Sequence, residues 1–266
     1  MPVFTDQLGR PVNISVPPRC IVSLVPSQTE LLAALELDDV VKGITKFCVH
    51  PESWFRNKTR VGGTKNVKPE VIDALQPDLI IANKEENTAE QIQLLAARYP
   101  VWVSNVHALP DAVDMIFAVG EMTDRLTVAT AIIANIQEGF SLLSPPSQQR
   151  LRTAYLIWKD PWMTVGYDTF IHDMLTRCGF ENVFAHLARY PAITLEDLKT
   201  SNCELLLLSS EPYPFKQQHV EALQKELPNT LILLVDGEYF SWYGSRLQEA
   251  PRYFSKLIGE IVKQQP

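Results

Sequence analysis

The segment most suited to ligand chemistry is VDGEYFSWYGSRL, residues 235–247, which ends the apolar run LILLV. Its thirteen residues include four aromatic rings, two acids and one arginine. Aromatic faces provide flat apolar area, and an arginine can form paired hydrogen bonds with carboxylates. Such a wall with a few polar groups suits a large planar or macrocyclic ligand. The residues predicted to contact a ligand lie towards its end: Trp242, Tyr243, Ser245 and Arg246.

The remaining side chains of this segment are expected to have structural roles. We predict that Tyr239 and Phe240 pack internally and that Asp236 holds Arg246 in place. Glycines near both ends of the segment would allow the chain a tight path.

Comparable segments occur elsewhere in the chain after apolar runs. They are PSQTE, TKFCVHPESW, NKEEN, WKDPWMTVGY and SSEPYPF, which begin at residues 26, 45, 83, 158 and 209. Their rings would add apolar area, and their charged groups would meet acidic or amide groups of a ligand. For each charged residue, an ion pair within its own lobe is the alternative interpretation. The further predicted ligand contacts are Trp54, Lys84, Glu85, Trp162, Tyr167, Arg189, Tyr190 and Tyr213.

The usual signatures of catalytic sites are absent from the sequence. No GxGxxG motif follows the first strand, and GxxxxGK[ST], GxSxG and HExxH are missing. The five histidines show no spacing of two or four residues, so no local metal motif exists. We predict a non-enzymatic binding protein with no catalytic residue, no metal ligand and no required cofactor. The alternative from another class is a cytoplasmic enzyme acting on a tetrapyrrole-like cofactor, for which the loop acids are candidates: Glu85, Glu86, Asp168 and Glu211.

Strands and helices alternate along the chain, a pattern typical of a parallel α/β sheet. After the first strand, Ser27 is a plausible N-cap and Glu30 the acid three residues later. Helical patterns cover residues 69–75 and 88–98. Because ligands bind outside the carboxyl ends of parallel strands, the unusual segments all fall where a site is expected. The predicted strands are Ile21–Val25, Val40–Ile44, Leu79–Ala82, Val101–Val103, Ala154–Trp158 and Leu205–Leu208.

A long amphipathic helix over residues 123–143 divides two similar halves. PEVIDALQPDLIIANKEE, from Pro69, and LEDLKTSNCELLLLSSEP, from Leu195, align without a gap, so that Glu70 falls on Glu196. A shared βα pattern without any lobe equivalence would give the same short match. We predict an amino-terminal α/β lobe over residues 1–122, a connecting helix over 123–147 and a carboxyl-terminal α/β lobe over 148–266.

Length and charge exclude several classes of protein. The chain has 266 residues, 46% of them hydrophobic, which is ample for folded cores, and no apolar run long enough to cross a membrane. A net charge of −7 without a basic stripe makes nucleic acid an unlikely partner. The amino-terminal residues carry no recognisable secretory signal.

Three segments together carry a family resemblance: RCIVSLVPSQTELLAALEL, RVGGTKNVKPEVIDALQPDLIIA and VDGEYFSWYGSRL. With these segments, which span nearly its whole length, the chain resembles the ABC-transporter substrate-binding proteins that have a rigid helical backbone. This superfamily includes receptors for vitamin B12, haem and ferric siderophores, and the likeness is strongest to the vitamin B12 (cobalamin) branch.

The resemblance implies two Rossmann-like lobes with parallel sheets, joined by one long helix, with the ligand in a shallow cleft between the lobes. It also implies that one surface glutamate on each lobe docks into arginine pockets of the permease, and the matching positions here are Glu70 and Glu196. An acid in the first turn of a helix, favoured by the helix dipole, is the alternative for each.

The function implied is capture of a metal chelate, foremost a corrinoid such as cobalamin, for an ABC permease. A ferric siderophore or haem receptor is the alternative within the class, and Arg189, Tyr190 and Arg246 are the residues that would favour it. The chelate is cargo rather than a cofactor. A periplasmic location follows from the resemblance, whereas the missing signal leaves a cytoplasmic location open.

Overall fold

The computed structural model describes residues 1–144 and 150–264. Within them the chain forms two compact units. Unit 1 contains Met1–Val106, Pro110–Asn135 and Tyr243–Arg246, and unit 2 contains the described residues of His107–Leu109, Ile136–Trp242 and Leu247–Pro266.

Unit 1 is built on a five-stranded parallel sheet with the order β5-β4-β3-β6-β7, preceded by a small antiparallel hairpin, β1-β2. Every residue of β3 and β6 is buried, as expected for strands covered on both faces. The strands are β1 (Val3–Thr5), β2 (Pro11–Asn13), β3 (Ile21–Ser23), β4 (Val41–Ile44), β5 (Thr59–Arg60), β6 (Leu79–Asn83) and β7 (Val101–Ser104). The helices among them are α1 (Pro26–Ala34), α2 (Glu52–Asn57), α3 (Pro69–Leu75) and α4 (Ala89–Ala96).

Two further helices, α5 (Leu109–Met122) and α6 (Leu126–Leu142), follow the first sheet. The amphipathic helix predicted over residues 123–143 is therefore present, and α6 contributes residues to both units. Ala129, Ile132 and Ile136 form its buried face. The predicted lobe boundary at residues 147 and 148 lies outside the described residues, and the three-part division of the chain stays a prediction.

Unit 2 is built on a four-stranded parallel sheet with the order β10-β8-β12-β13, beside a short antiparallel pair, β9-β11. The strands are β8 (Leu151–Leu156), β9 (Trp162–Met163), β10 (Phe180–Asn182), β11 (Ala192–Ile193), β12 (Leu205–Ser209) and β13 (Leu231–Val235). The helices are α7 (Phe170–Arg177), α8 (Leu195–Thr200), α9 (Gln217–Glu226), α10 (Glu238–Ser241) and α11 (Ala250–Gln264), with a 3-10 turn at Ser245–Gln248.

The internal repeat predicted from the sequence is visible in the order of elements. In unit 1, α3 leads into β6, which lies beside β3, and in unit 2, α8 leads into β12, which lies beside β8. The α/β class and the parallel sheets are confirmed. The predicted N-cap role of Ser27 is wrong, because α1 begins one residue earlier, at Pro26, with Val25 as its N-cap.

Candidate functional site

A hydrogen-bonded framework fixes the segment NKEEN at the carboxyl end of β6 in unit 1. The Asn83 side chain is buried, accepts from the backbone amides of Glu85 at 2.8 Å and Glu86 at 3.1 Å, and donates to Ser104 Oγ at 3.0 Å. Asn87 accepts from the Asn83 amide at 2.9 Å. These contacts hold the loop backbone in one path, so its outer side chains start from a defined position.

The charged side chains of this loop have different environments. Lys84 is exposed, and Glu85 is half-buried with its backbone carbonyl accepting from Lys65 Nζ. Burial raises the pKa of Glu86 above its ordinary value, and the neighbouring Glu85 adds to the rise while Lys65 opposes it. Lys84 is therefore the predicted contact of this loop that is most open to solvent.

The loop after β4 in unit 1 is also tied by polar contacts. The buried Cys48 thiol lies 3.1 Å from both Thr29 Oγ1 and Thr45 Oγ1, and burial raises its pKa. Trp54, a predicted contact, is only 4% exposed and lies under Lys58, so it offers at most an edge to a ligand. Phe47, which is not among the predicted contacts, is 50% exposed in the same loop.

The predicted contacts of residues 243–246 belong to unit 1. Arg246 forms a two-pronged ion pair with Glu30, with Nε to Oε2 at 3.1 Å and Nη2 to Oε1 at 2.7 Å. Glu30, rather than Asp236, holds this arginine. A Cβ on Gly244 would lie 2.6 Å from the Ser27 carbonyl oxygen, so the close approach to α1 requires glycine. Tyr243 and Ser245 are each 8% exposed.

Aromatic rings dominate the carboxyl edge of the sheet in unit 2. Tyr213 and Phe215 pack at 4.8 Å between ring centroids, Trp158 meets Tyr213 edge-on at 5.7 Å, and Trp162 stacks on Phe215 at 6.2 Å. His219 meets both Tyr213 and Phe215 at 5.5 Å. We call these five residues the aromatic cluster. Trp158, omitted from the predicted contacts, is 40% exposed and is the most open ring among them.

Three more predicted contacts of unit 2 lie on neighbouring loops. Tyr167 is 58% exposed. The Arg189 guanidinium lies 5.9 Å from the Tyr190 ring, and both residues are half-buried. The Arg189 backbone adopts a φ of 60° and its amide donates to Asp168 Oδ1, which fixes this turn.

Trp242 is held by Glu211, which the sequence predicts only as a candidate acid of the enzyme alternative. Its Nε1 donates to Glu211 Oε1 at 2.9 Å, and the same oxygen accepts from Ser241 Oγ at 2.6 Å. Trp242 is 6% exposed. The predicted packing of Phe240 is confirmed by its complete burial, and Tyr239 stacks on Tyr253 at 4.4 Å.

The two predicted docking acids occupy equivalent helices. Glu70 and Glu196 are each the second residue of their helix, α3 and α8, and both are exposed. Within residues 1–144 and 150–264, neither carboxylate forms a hydrogen bond or salt bridge. In those same ranges no group of three or more His, Cys, Asp or Glu could hold a metal ion. Nor does any helix of the described chain have the length and apolar character needed to cross a membrane.

Comparison with known proteins identifies a family and individual proteins that are similar to this chain. The profile of the family described as periplasmic binding protein matches residues 21–228. A vitamin B12-binding protein of Vibrio parahaemolyticus is 27% identical over 213 residues, which cover 79% of this chain and 76% of that protein.

Two solved structures share the fold. The periplasmic vitamin B12 binding protein BtuF of Vibrio cholerae superposes with a TM-score of 0.79 at 20% identity, covering 94% of this chain and 100% of that chain. The periplasmic haem-binding protein RhuT of Roseiflexus sp. RS-1 gives a TM-score of 0.79 at 19% identity, covering 91% and 98%. Since proteins named for different ligands match equally well, the fold alone does not select between those ligands.

Proposed function

Because the chain belongs to the periplasmic binding protein family, we propose that its ligand is a corrinoid such as cobalamin. The chain is an ABC-transporter substrate-binding protein of the vitamin B12, haem and siderophore class rather than an enzyme. The family match supports a periplasmic location and gives no support to the cytoplasmic alternative.

The observation that carries the choice of ligand is the ion pair formed by the predicted anion-binding arginine, Arg246. The Arg246 guanidinium is paired with the Glu30 carboxylate, and the two side chains are only 13% and 22% exposed. A haem or an acidic siderophore brings carboxylates that need an arginine free to form paired hydrogen bonds. Cobalamin carries uncharged amide side chains, which do not need one. The name of the similar Vibrio protein supports the same choice.

The aromatic cluster of unit 2 supports a ligand of large apolar area. Trp158 and Tyr167 are exposed, and Trp158 packs edge-on against Tyr213, which in turn packs against Phe215. Fixed rings lose little conformational entropy on binding, so they suit a rigid macrocycle. In unit 1, the NKEEN loop presents polar groups of its own, with Lys84 the most exposed.

A haem or ferric siderophore remains the second candidate, because Arg189 and Tyr190 lie together on a loop of unit 2. Arginine suits a chelate with acidic groups, and tyrosine suits a chelate that binds a phenolate. Among the candidates within the class, this pair is the specific feature that favours an anionic ligand.

A ligand panel with one substitution tests the choice. We expect cyanocobalamin to quench tryptophan fluorescence of the wild-type protein more strongly, and at lower concentration, than haem or ferric hydroxamates do. Glu30→Gln removes one carboxylate that pairs with Arg246, so haem affinity should rise, by up to about tenfold, the scale of a single close charge contact. Titration by fluorescence gives both dissociation constants.

The control is Glu52→Gln, which removes the acid of the exposed Arg56 ion pair in the same unit and should leave haem affinity unchanged. Tighter binding of haem than of cyanocobalamin by the wild-type protein would reject the corrinoid and favour the second candidate. No change in tryptophan fluorescence with any of the chelates would reject the proposed ligand class.

We further propose that Glu70 and Glu196 dock the permease. Their support is the matching position, at the second residue of the helix that leads into equivalent strands of the two units. Two exposed carboxylates at equivalent places can engage equivalent basic pockets on a two-fold symmetric partner.

Charge reversal separates docking from capture. The double variant Glu70→Lys and Glu196→Lys should abolish cyanocobalamin uptake through the cognate permease and ATPase, while its dissociation constant for cyanocobalamin stays unchanged. The matched control reverses Glu90 and Glu221, which are also exposed helix acids, one in each unit. Uptake is measured with labelled cyanocobalamin, and normal uptake by the first variant would refute the docking role.

A further inference from the structure

The histidine of the aromatic cluster is held by two hydrogen bonds of unequal kind. His219 is 7% exposed and is the third residue of α9. Its Nδ1 lies 2.9 Å from the backbone nitrogen of Lys216, and its Nε2 lies 3.3 Å from the hydroxyl oxygen of Tyr213. Both ring nitrogens of one buried imidazole therefore have a partner.

The first contact determines the tautomer of the imidazole. The Lys216 amide can only donate, so His219 Nδ1 must accept and carry no proton. The proton of the neutral ring is then on Nε2, and Nε2–H donates to the Tyr213 hydroxyl oxygen. The capping contact at the start of α9 thus controls the hydrogen bond received by Tyr213.

The second contact leaves the hydroxyl proton of Tyr213 available in another direction. A phenol has one proton to donate, and the donation from His219 occupies part of its accepting capacity. The Tyr213 ring cannot turn freely, since Trp158, Phe215 and His219 pack around it. A hydroxyl that accepts one hydrogen bond also becomes a better donor of its own proton.

From this geometry we propose that His219 is a positioning residue that makes Tyr213 a hydrogen-bond donor to the ligand. The matching ligand group is an acceptor such as an amide carbonyl, and a ligand donor at this position would be disfavoured. The inference rests on the proposed function, because it assigns Tyr213 to the chelate-binding surface. It also predicts a ligand-independent property, the Nε2–H tautomer of His219.

Two substitutions separate the capping contact from the contact with Tyr213. In His219→Gln, the amide oxygen can still accept from the Lys216 amide, as glutamine does at the third position of a capping box, but the imidazole donor is lost. Tyr213→Phe keeps the ring and removes the hydroxyl. Each should weaken cyanocobalamin binding by about fivefold, the effect of one hydrogen bond.

The double variant distinguishes positioning from packing. If His219 acts through the Tyr213 hydroxyl, His219→Gln should cost little more once Tyr213→Phe is present, so the losses should not multiply. Independent losses that multiply would overturn the proposal. So would unchanged affinity in Tyr213→Phe, with thermal unfolding used to verify that each variant is folded.

Nitrogen-15 spectroscopy of His219 in the ligand-free protein tests the tautomer separately. A protonated Nε2 and an unprotonated Nδ1 are expected at pH 8, and the reverse assignment would overturn the inference even if cyanocobalamin binds. A wild-type protein that shows the expected tautomer but binds no chelate would instead reject the proposed function and, with it, the ligand contact of Tyr213.

Discussion

The two units have sheets of related connectivity, yet different kinds of side chain support the carboxyl edges of those sheets. In unit 1 the edge is supported by buried polar side chains, among them Asn83, Asn87 and Ser104, which bond to one another and to loop backbone. In unit 2 the corresponding edge carries the aromatic cluster, in which rings pack on rings and His219 provides the polar contacts of the cluster itself.

The difference indicates that the same βα arrangement can support the loops at its carboxyl edge either by hydrogen bonds or by packed aromatic rings. Hydrogen bonds have preferred distances and directions, so the edge of unit 1 can hold orienting groups in place. Stacked rings provide area with little hydrogen-bond demand, so the edge of unit 2 suits the face of a large ligand. We therefore expect substitutions in the polar edge of unit 1 mainly to lower the free energy of unfolding. Substitutions in the aromatic edge of unit 2 should mainly weaken ligand binding.

The largest expected effect is the loss of Asn83 from the polar edge. Asn83→Ala removes a buried side chain that accepts from two partly buried loop amides and donates to the buried Ser104. Leaving several buried polar groups without partners should lower the free energy of unfolding by about 3 kcal/mol. Urea unfolding followed by circular dichroism measures this change.

The matched control is Asn66→Ala, because Asn66 is exposed in the same unit and its side chain forms no hydrogen bond with the described residues. It should change the unfolding free energy by less than about 0.5 kcal/mol. Equal effects of the two substitutions would show that the polar framework does not stabilise unit 1.

The next effect concerns the aromatic edge and should appear in affinity instead. Trp158→Ala removes a ring that is 40% exposed and packs edge-on against Tyr213. We expect cyanocobalamin to bind about tenfold more weakly, as for a moderate interface aromatic, while the unfolding free energy changes by about 1 kcal/mol or less. Isothermal titration and urea unfolding provide the two numbers.

Phe117→Ala is the control for an exposed ring, since Phe117 is 44% exposed on the helix α5 rather than on a loop that follows a strand. Its affinity for cyanocobalamin should equal that of the wild type. If the Trp158→Ala protein binds cyanocobalamin normally, the aromatic cluster is not part of the ligand-binding surface. The two edges would then not differ in their contribution to affinity.

Most of the fold could be predicted from the sequence because it depends on patterns that are local. The apolar runs at residues 79–82 and 205–208 became the buried strands β6 and β12, and the helix over residues 69–75 has the predicted bounds. Short pieces such as β5 were not predicted, since two residues carry no period.

The side-chain contacts at the edges could be predicted only in part, because they join residues far apart in sequence. Glu30 fits the spacing of a capping acid, but its carboxylate pairs with Arg246, 216 positions away. Trp242 was identified as an aromatic at a strand end, yet its partner Glu211 lies on another loop. Loop composition predicted where polar and aromatic groups would gather, while tertiary packing decided which of them pair.

The smallest expected effect comes from an acid on the polar edge whose ionised form is disfavoured. Burial raises the pKa of Glu86 above its ordinary value of 4.5. The folded state therefore binds this proton more tightly than the unfolded state, and stability falls as pH rises from about 4.5 through the raised pKa. Glu86→Gln removes this loss and should stabilise the protein at pH 8 by less than about 1 kcal/mol.

Urea unfolding at pH 4 and pH 8 checks the sign. The variant and the wild type should have nearly equal stability at pH 4, where Glu86 is mostly protonated in both states, and the variant should be the more stable at pH 8. Glu90→Gln, an exposed acid of the nearby helix α4, controls for the loss of one charge. A Glu86→Gln protein that is less stable at pH 8 would mean that the polar edge relies on this carboxylate, as it relies on Asn83.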